Sequence, residues 1–216
     1  IYACSSKIEV NSELKLAEDL MVANYDSSLY ILQNIIEDET EMTEEENALF
    51  NLLLFTAYDK NELNLPPENL IDYSIDYYAR TNNKIRLAHC YFYKSRIYKN
   101  KREYQGAIQN LLKACELAHP EKDYSLMGKI YFDLGQISGY QEEMDKALEY
   151  YWKAAAYFGE ACQRENVARA YMVIGNVHMV KDMYEDAIYY SHQALKHTQD
   201  SVIIGDVLHD IGTSYY

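Results

Sequence analysis

The chain has 216 residues and a net charge of −14, with 49% of residues apolar and 25% charged, a composition that excludes a disordered chain. Eight glycines and three prolines are too few for the turns of a large β-protein and favour long helices. Residues 1–80 carry 17 acids and 4 bases, residues 81–216 carry 17 acids and 16 bases, so the first third repels phosphate backbones and argues against nucleic acid as a partner.

In chain order, Leu14, Leu20 and Met21 give a first helix its apolar face. Asp26-Ser27-Ser28 starts a second, with Leu29, Leu32, Ile35 and Ile36 inside. The acidic run from Glu37 to Glu46 reads as a solvated loop and a helix start. Thr43, with Glu46 three residues on, makes a capping box for a third helix over 44–58. Residues 59–66 read as a connection that holds the Lys60-Asn61 turn. Pro66-Pro67 opens a fourth helix that buries Leu70, Ile71, Ile75 and Tyr78.

From residue 83 the sequence repeats. A shift of 40 aligns Tyr91, Tyr131 and Tyr171; Ser95, Gly135 and Gly175; Ala107, Ala147 and Ala187; Leu111, Tyr151 and Ser191; and Ala114, Ala154 and Ala194. A partial copy begins with Leu208, Ile211 and Gly212 at a spacing of 37. Two antiparallel helices on a short turn must approach closely, so the small columns mark helix contacts and the large ones fill the space between turns. An interior glycine costs about 1 kcal/mol against alanine, which assigns Gly135 and Gly175 to packing.

These columns resemble the tetratricopeptide repeat (TPR): Tyr131-x2-Leu134-Gly135 then Ala147-x3-Tyr151-x2-Ala154, and Tyr171-x2-Ile174-Gly175 then Ala187-x3-Ser191-x2-Ala194. The period of 40 exceeds the family's usual 34 and implies longer helices or longer turns. Ser191 departs from the aromatic of its column. The resemblance implies an all-α solenoid of about eleven antiparallel helices in a right-handed superhelix, with residues 9–82 as degenerate capping hairpins and 83–216 as the array.

It also implies a concave groove lined by the first helix of each repeat. The groove-facing columns are His89, Phe92, Arg96 and Lys99; Lys129, Phe132, Gln136 and Tyr140; Arg169, Met172, Asn176 and Met179; then His209, Thr213 and Tyr216. Arg96, Gln136, Asn176 and Thr213 make a polar stripe beside an apolar one of Phe92, Phe132 and Met172, an arrangement suited to an extended peptide. The Lys/Asn/Arg clamp of chaperone-binding TPRs is not reproduced. Residues 81–102 hold seven bases and no acid, which either attract an acidic peptide or pair with the acidic helices before them.

Ile1-Tyr2-Ala3-Cys4 resembles a bacterial lipobox, and residues 1–8 read as its remnant and a tether. With Asp26-Ser27-Ser28-Leu29-Tyr30-Ile31-Leu32, Asp59-Lys60-Asn61 and Tyr77-Tyr78 before 40-residue TPRs, the order is similar to exported TPR lipoproteins of Gram-negative gut anaerobes. That resemblance implies a lipid on Cys4, a membrane association through it and a place at the cell envelope. The alternatives are the sensor portion of a signalling protein that continues past residue 216, and a cytoplasmic peptide-responsive regulator. Both ends of the sequence are expected to be cut.

No apolar stretch approaches the ~18 residues of a membrane span. There is no G-x-S-x-G, H-E-x-x-H, phosphate-cradling glycine loop or dinucleotide-binding fingerprint, so neither catalysis nor a cofactor is expected. The cysteines Cys4, Cys90, Cys115 and Cys162 have no zinc spacing, and no metal site is expected. The last three read as small core residues, with a Cys90–Cys115 bridge as the alternative. His178 and Asp182, four apart on a helix, read as a surface pair.

Overall fold

The structure, a computed structural model, describes residues 11–36 and 41–213 in full and the backbone alone of residues 2–10, 37 and 214. The described residues form eleven helices and no strand: α1 (Tyr2–Ala23), α2 (Tyr25–Glu37), α3 (Glu44–Lys60), α4 (Glu68–Arg80), α5 (Lys84–Asn100), α6 (Tyr104–Ala118), α7 (Tyr124–Tyr140), α8 (Met144–Glu160), α9 (Arg164–Val180), α10 (Tyr184–Leu195) and α11 (Ser201–Ser214). Part of the acidic run (38–40), the lipobox Ile1 and the Cys4 side chain, and Tyr216 lie outside the described residues. The chain divides into two compact units, 1–117 and 118–216.

Unit 1 is built round α3. Its run Leu52-Leu53-Leu54-Phe55 is apolar on every side, and such a helix has to be enclosed. All four residues are buried, and α3 packs against α1, α2, α4 and α5. The capping box is formed: Thr43 Oγ1 accepts from the Glu46 N–H at 3.2 Å, and the Glu46 carboxylate accepts from the Thr43 N–H at 2.8 Å. The Ser28 hydroxyl donates to the Ala17 carbonyl at 2.7 Å and ties α2 to α1. Ile36, expected inside, is 51% exposed. Ser28, Leu32 and Ile35 hold the inner face of α2, and one further residue turns the side chain by roughly 100° away from it.

Helices α3 to α10 are linked by one recurring stop. Glu62, Asn82, Arg102, Lys122, Glu142, Cys162 and Asp182 all have φ between 54° and 61° and fall at an interval of 20 residues. After each, the next N–H closes back on a carbonyl five residues earlier, as in Glu143→Ser138 and Gln163→Phe158, both 2.9 Å. The long repeat therefore comes from long helices: α5, α7, α8 and α9 each have 17 residues and most turns only three. This turn corrects the reading of Cys162, which is exposed at a left-handed position rather than buried in a helix. No disulfide joins Cys90 to Cys115, so the bridge between them is not formed.

In unit 2, α7 packs on α8, α8 on α9, α9 on α10, and α11 on both α9 and α10. The small columns lie inside: Ala147, Ala154, Ala187 and Ala194 are buried. A Cβ on Gly135 would stand 2.6 Å from the Tyr151 ring. A Cβ on Gly175 would stand 3.1 Å from the Ala187 carbonyl oxygen and 3.1 Å from Ser191 Oγ. Ser191 thus leaves its column without a ring to fill the gap, and the α10 backbone itself comes up against Gly175. Several of the 23 tyrosines go into seams between helices: Tyr131 stacks on Tyr157 at 5.4 Å, and Trp152 stands edge-on to Tyr171 at 5.8 Å and to Tyr190 at 5.2 Å. Half-buried tyrosines serve here because the ring packs while the hydroxyl stays near water.

Candidate functional site

Within unit 1 the basic run is drawn onto the acids before it. Lys94 pairs with Asp72 at 2.5 Å, Lys101 with Glu68 at 2.8 Å, Arg86 with Glu18 at 3.2 Å, and Arg96 with Asp59 of α3. The Lys101 ammonium holds the Glu68 carboxyl below the usual carboxylate range. The Arg96 guanidinium also lies 5.1 Å from the centre of the Phe92 ring. Phe92, expected to line a groove, is fully buried and offers no surface to a ligand. Its ring packs edge-on to Tyr93 at 5.3 Å, because the helix turns this column into the core. His89 and Lys99 are half-buried on the same helix.

Unit 2 contributes α7, α9 and α11. The 40-residue interval sets Lys129 and Arg169 at equivalent positions, and the spacing of 37 sets His209 level with Met172; Arg169 and His209 are exposed and Lys129 is half-buried. Phe132 and Met172 are half-buried, and both lean inward. The Phe132 ring lies 5.4 Å from that of Tyr151, and Met172 packs on the cluster of Ala168, Ala194, Ile203 and Val207. Gln136 is half-buried and Tyr140 exposed at the end of α7.

A polar contact joins α9 and α11. The Asn176 amide hydrogen-bonds the Asp210 carboxyl, and one turn on, the Thr213 hydroxyl lies 3.5 Å from the Met179 sulfur. Burial pushes the Asp210 carboxyl up, and the Asn176 hydrogen bond and His209 pull against that. Asn176 Oδ1 is buried and accepts no hydrogen bond among the described residues. Of the residues picked from the columns, the structure thus brings Asn176, Met179 and Thr213 together.

Sequence reasoning missed Asp210, which lies one turn before Thr213 and shares its face. It also missed Asp133, buried at 1% exposure in α7. An acid in a column otherwise held by Tyr93 and Val173 was the available signal. The His178–Asp182 pair is corrected. Asp182 accepts from the Tyr184 hydroxyl at 2.8 Å, while His178 stacks on Tyr190 at 5.0 Å and faces Asp186 at 3.9 Å. Burial lowers the His178 pKa and favours the neutral ring. No cluster among the described residues is arranged to hold a metal ion, and no described helix is long and apolar enough to cross a membrane.

Stacked antiparallel helix pairs with small residues at each crossing define a helical-repeat scaffold. More particularly, this is the tetratricopeptide-repeat fold, as solved structures bear out. A signal-transduction ATPase from Pyrococcus horikoshii with a TPR sensor matches at a TM-score of 0.72 and 18% identity, over 95% of this chain and 32% of that one. Aspartyl phosphate phosphatase F from Bacillus subtilis matches at 0.69 and 19%, over 95% and 55%. A TPR protein of Thermus thermophilus matches at 0.54 and 15%, over 95% and 98%. The chain thus spans about a third and about half of the first two. No family model and no curated protein matches it.

Proposed function

We propose that the chain is a non-catalytic scaffold that binds a protein or peptide, with an extended segment laid across α7, α9 and α11 of unit 2. The observation that carries this reading is the set of polar side chains which that face leaves at the surface, with Gln136 and Asn176 half-buried and Arg169 and His209 exposed. Gln136 and Asn176 would hold the ligand backbone, Arg169 and His209 would attract acidic groups alongside, and Met179 would supply apolar contact. Selection of binders from a displayed peptide library, followed by affinity measurement, tests it. Asn176→Ala is expected to weaken the selected peptides about tenfold, the worth of one well-made hydrogen bond. Selected peptides indifferent to both Asn176→Ala and Arg169→Ala would remove this face from consideration.

We further propose that the protein is lipid-anchored through Cys4 and exported to the cell envelope. The support is the lipobox-like Ile1-Tyr2-Ala3-Cys4. In cells that make the natural precursor, a radiolabelled fatty acid is expected to enter the wild-type protein and not Cys4→Ser. Equal labelling of the two would reject the anchor.

A further inference from the structure

A groove of about 730 Å³ opens in unit 2 where the end of α8, the start of α9 and the end of α10 meet. That volume lies within the range of small-ligand pockets, about 300–1,000 Å³. The floor is apolar, formed by Ala155, Ala156, Val167 and Tyr171, and His197 stacks on the Tyr171 ring at 5.6 Å. Gly159 lies at its edge, and a Cβ there would meet nothing within 4 Å. No packing contact requires glycine at that position, unlike Gly135 and Gly175. Its missing side chain leaves the groove clear.

Two cations line the groove, and neither is neutralised. The Arg164 guanidinium donates to the Lys196 carbonyl at 3.2 Å, and Lys196 Nζ donates to Gln193 Oε1 at 3.0 Å. Both partners are neutral, and neither cation has a carboxylate partner among the described residues. Elsewhere in the unit lysines find acids: Lys146 with Glu143 at 2.9 Å, Lys153 with Glu149 at 2.6 Å, and Lys181 with Asp145 at 2.5 Å. Residues 118–216 hold 15 acids against 8 bases, so carboxylates are abundant, yet Glu160 is the one acid in the lining.

We infer that this groove is a second binding site, separate from the α7, α9 and α11 face, for an acidic peptide segment of a partner protein. One ligand carboxylate sits between Arg164 and Lys196, and a neighbouring apolar side chain covers Ala155, Ala156 and Tyr171. A bare anion has no use for the apolar floor. A nucleic acid is repelled by the net charge of the unit around it. Charge complementarity and the floor together select a peptide that is acidic and apolar in adjacent positions.

Trp152 is the single tryptophan of the chain and touches the groove wall through Tyr171, so its fluorescence reports on occupancy. The whole chain is titrated at low salt with the peptide acetyl-Asp-Leu-Phe-Glu-amide and with its neutral counterpart acetyl-Asn-Leu-Phe-Gln-amide. The acidic peptide is expected to give a saturable change, with the neutral one weaker by about tenfold or more. Lys196→Gln and Gly159→Leu are each expected to weaken the acidic peptide about tenfold while the helical circular dichroism stays unchanged, the first by removing charge and the second by filling space. Asn176→Ala should leave it unaffected, which separates this site from the face proposed above. No saturation at millimolar peptide, equal binding of the neutral peptide, loss on Asn176→Ala, or equally tight binding of benzoate alone would each overturn the inference.

Discussion

Truncating Phe158 to alanine is expected to cost unit 2 about 3–5 kcal/mol, as the loss of a packed aromatic ring from a core does. Phe158 is 3% exposed on α8, and its ring lies where Gly128 of α7 has no side chain; a Cβ on Gly128 would stand 2.4 Å from the ring. The two residues form one lock, so the variants should not be additive. Gly128→Ala alone overpacks the contact and is expected to cost about 1–3 kcal/mol, despite the better helix propensity of alanine. Combined with Phe158→Leu it should cost less than the sum, because the smaller side chain admits the new methyl. Gly139→Ala serves as the control, since its Cβ meets nothing within 4 Å and alanine gains up to about 1 kcal/mol of propensity. Urea unfolding followed by Trp152 fluorescence reads unit 2 alone. Strict additivity of the Gly128 and Phe158 changes would show that the contact does not exist as described.

That lock also shows what was legible in the sequence and what was not. The small columns at Gly135, Gly175 and the alanines were readable because close helix contact tolerates few residue types, so the constraint is written at a fixed interval. The capping box at Thr43 was readable because its chemistry is local. The Arg96–Asp59 pair joins residues 37 apart in sequence, and nothing local fixes which of many acids a base will meet. Asp210 was missed because it lies in the shorter, less regular copy, where the spacing changes to 37. The groove at Gly159 was hidden for another reason. It is assembled from the ends of three helices, and a reading confined to the inner columns of each repeat does not look there.

Replacing Lys122, Glu142 and Cys162 together by glycine is expected to stabilise unit 2 by about 2 kcal/mol. All three hold φ between 56° and 61°, where a side chain with a Cβ is strained by about 1–2 kcal/mol. Glycine relieves that strain but gives back part of the gain as added freedom of the unfolded chain, which leaves roughly 0.5–1 kcal/mol at each position. Asn82→Gly should change unit 1 much less, because asparagine already tolerates this conformation. The interval of 20 residues escaped the sequence for the same reason that the substitution should work. Helix stops of this kind usually carry glycine, and here glutamate, asparagine, arginine, lysine, cysteine and aspartate occupy the position instead. The register is therefore set by helix packing on both sides of each turn, and the strain at the turn is tolerated rather than specified. The urea midpoint of the triple variant, read from Trp152, checks this directly. A midpoint at or below that of the wild type would mean that these residues are not held in the left-handed conformation.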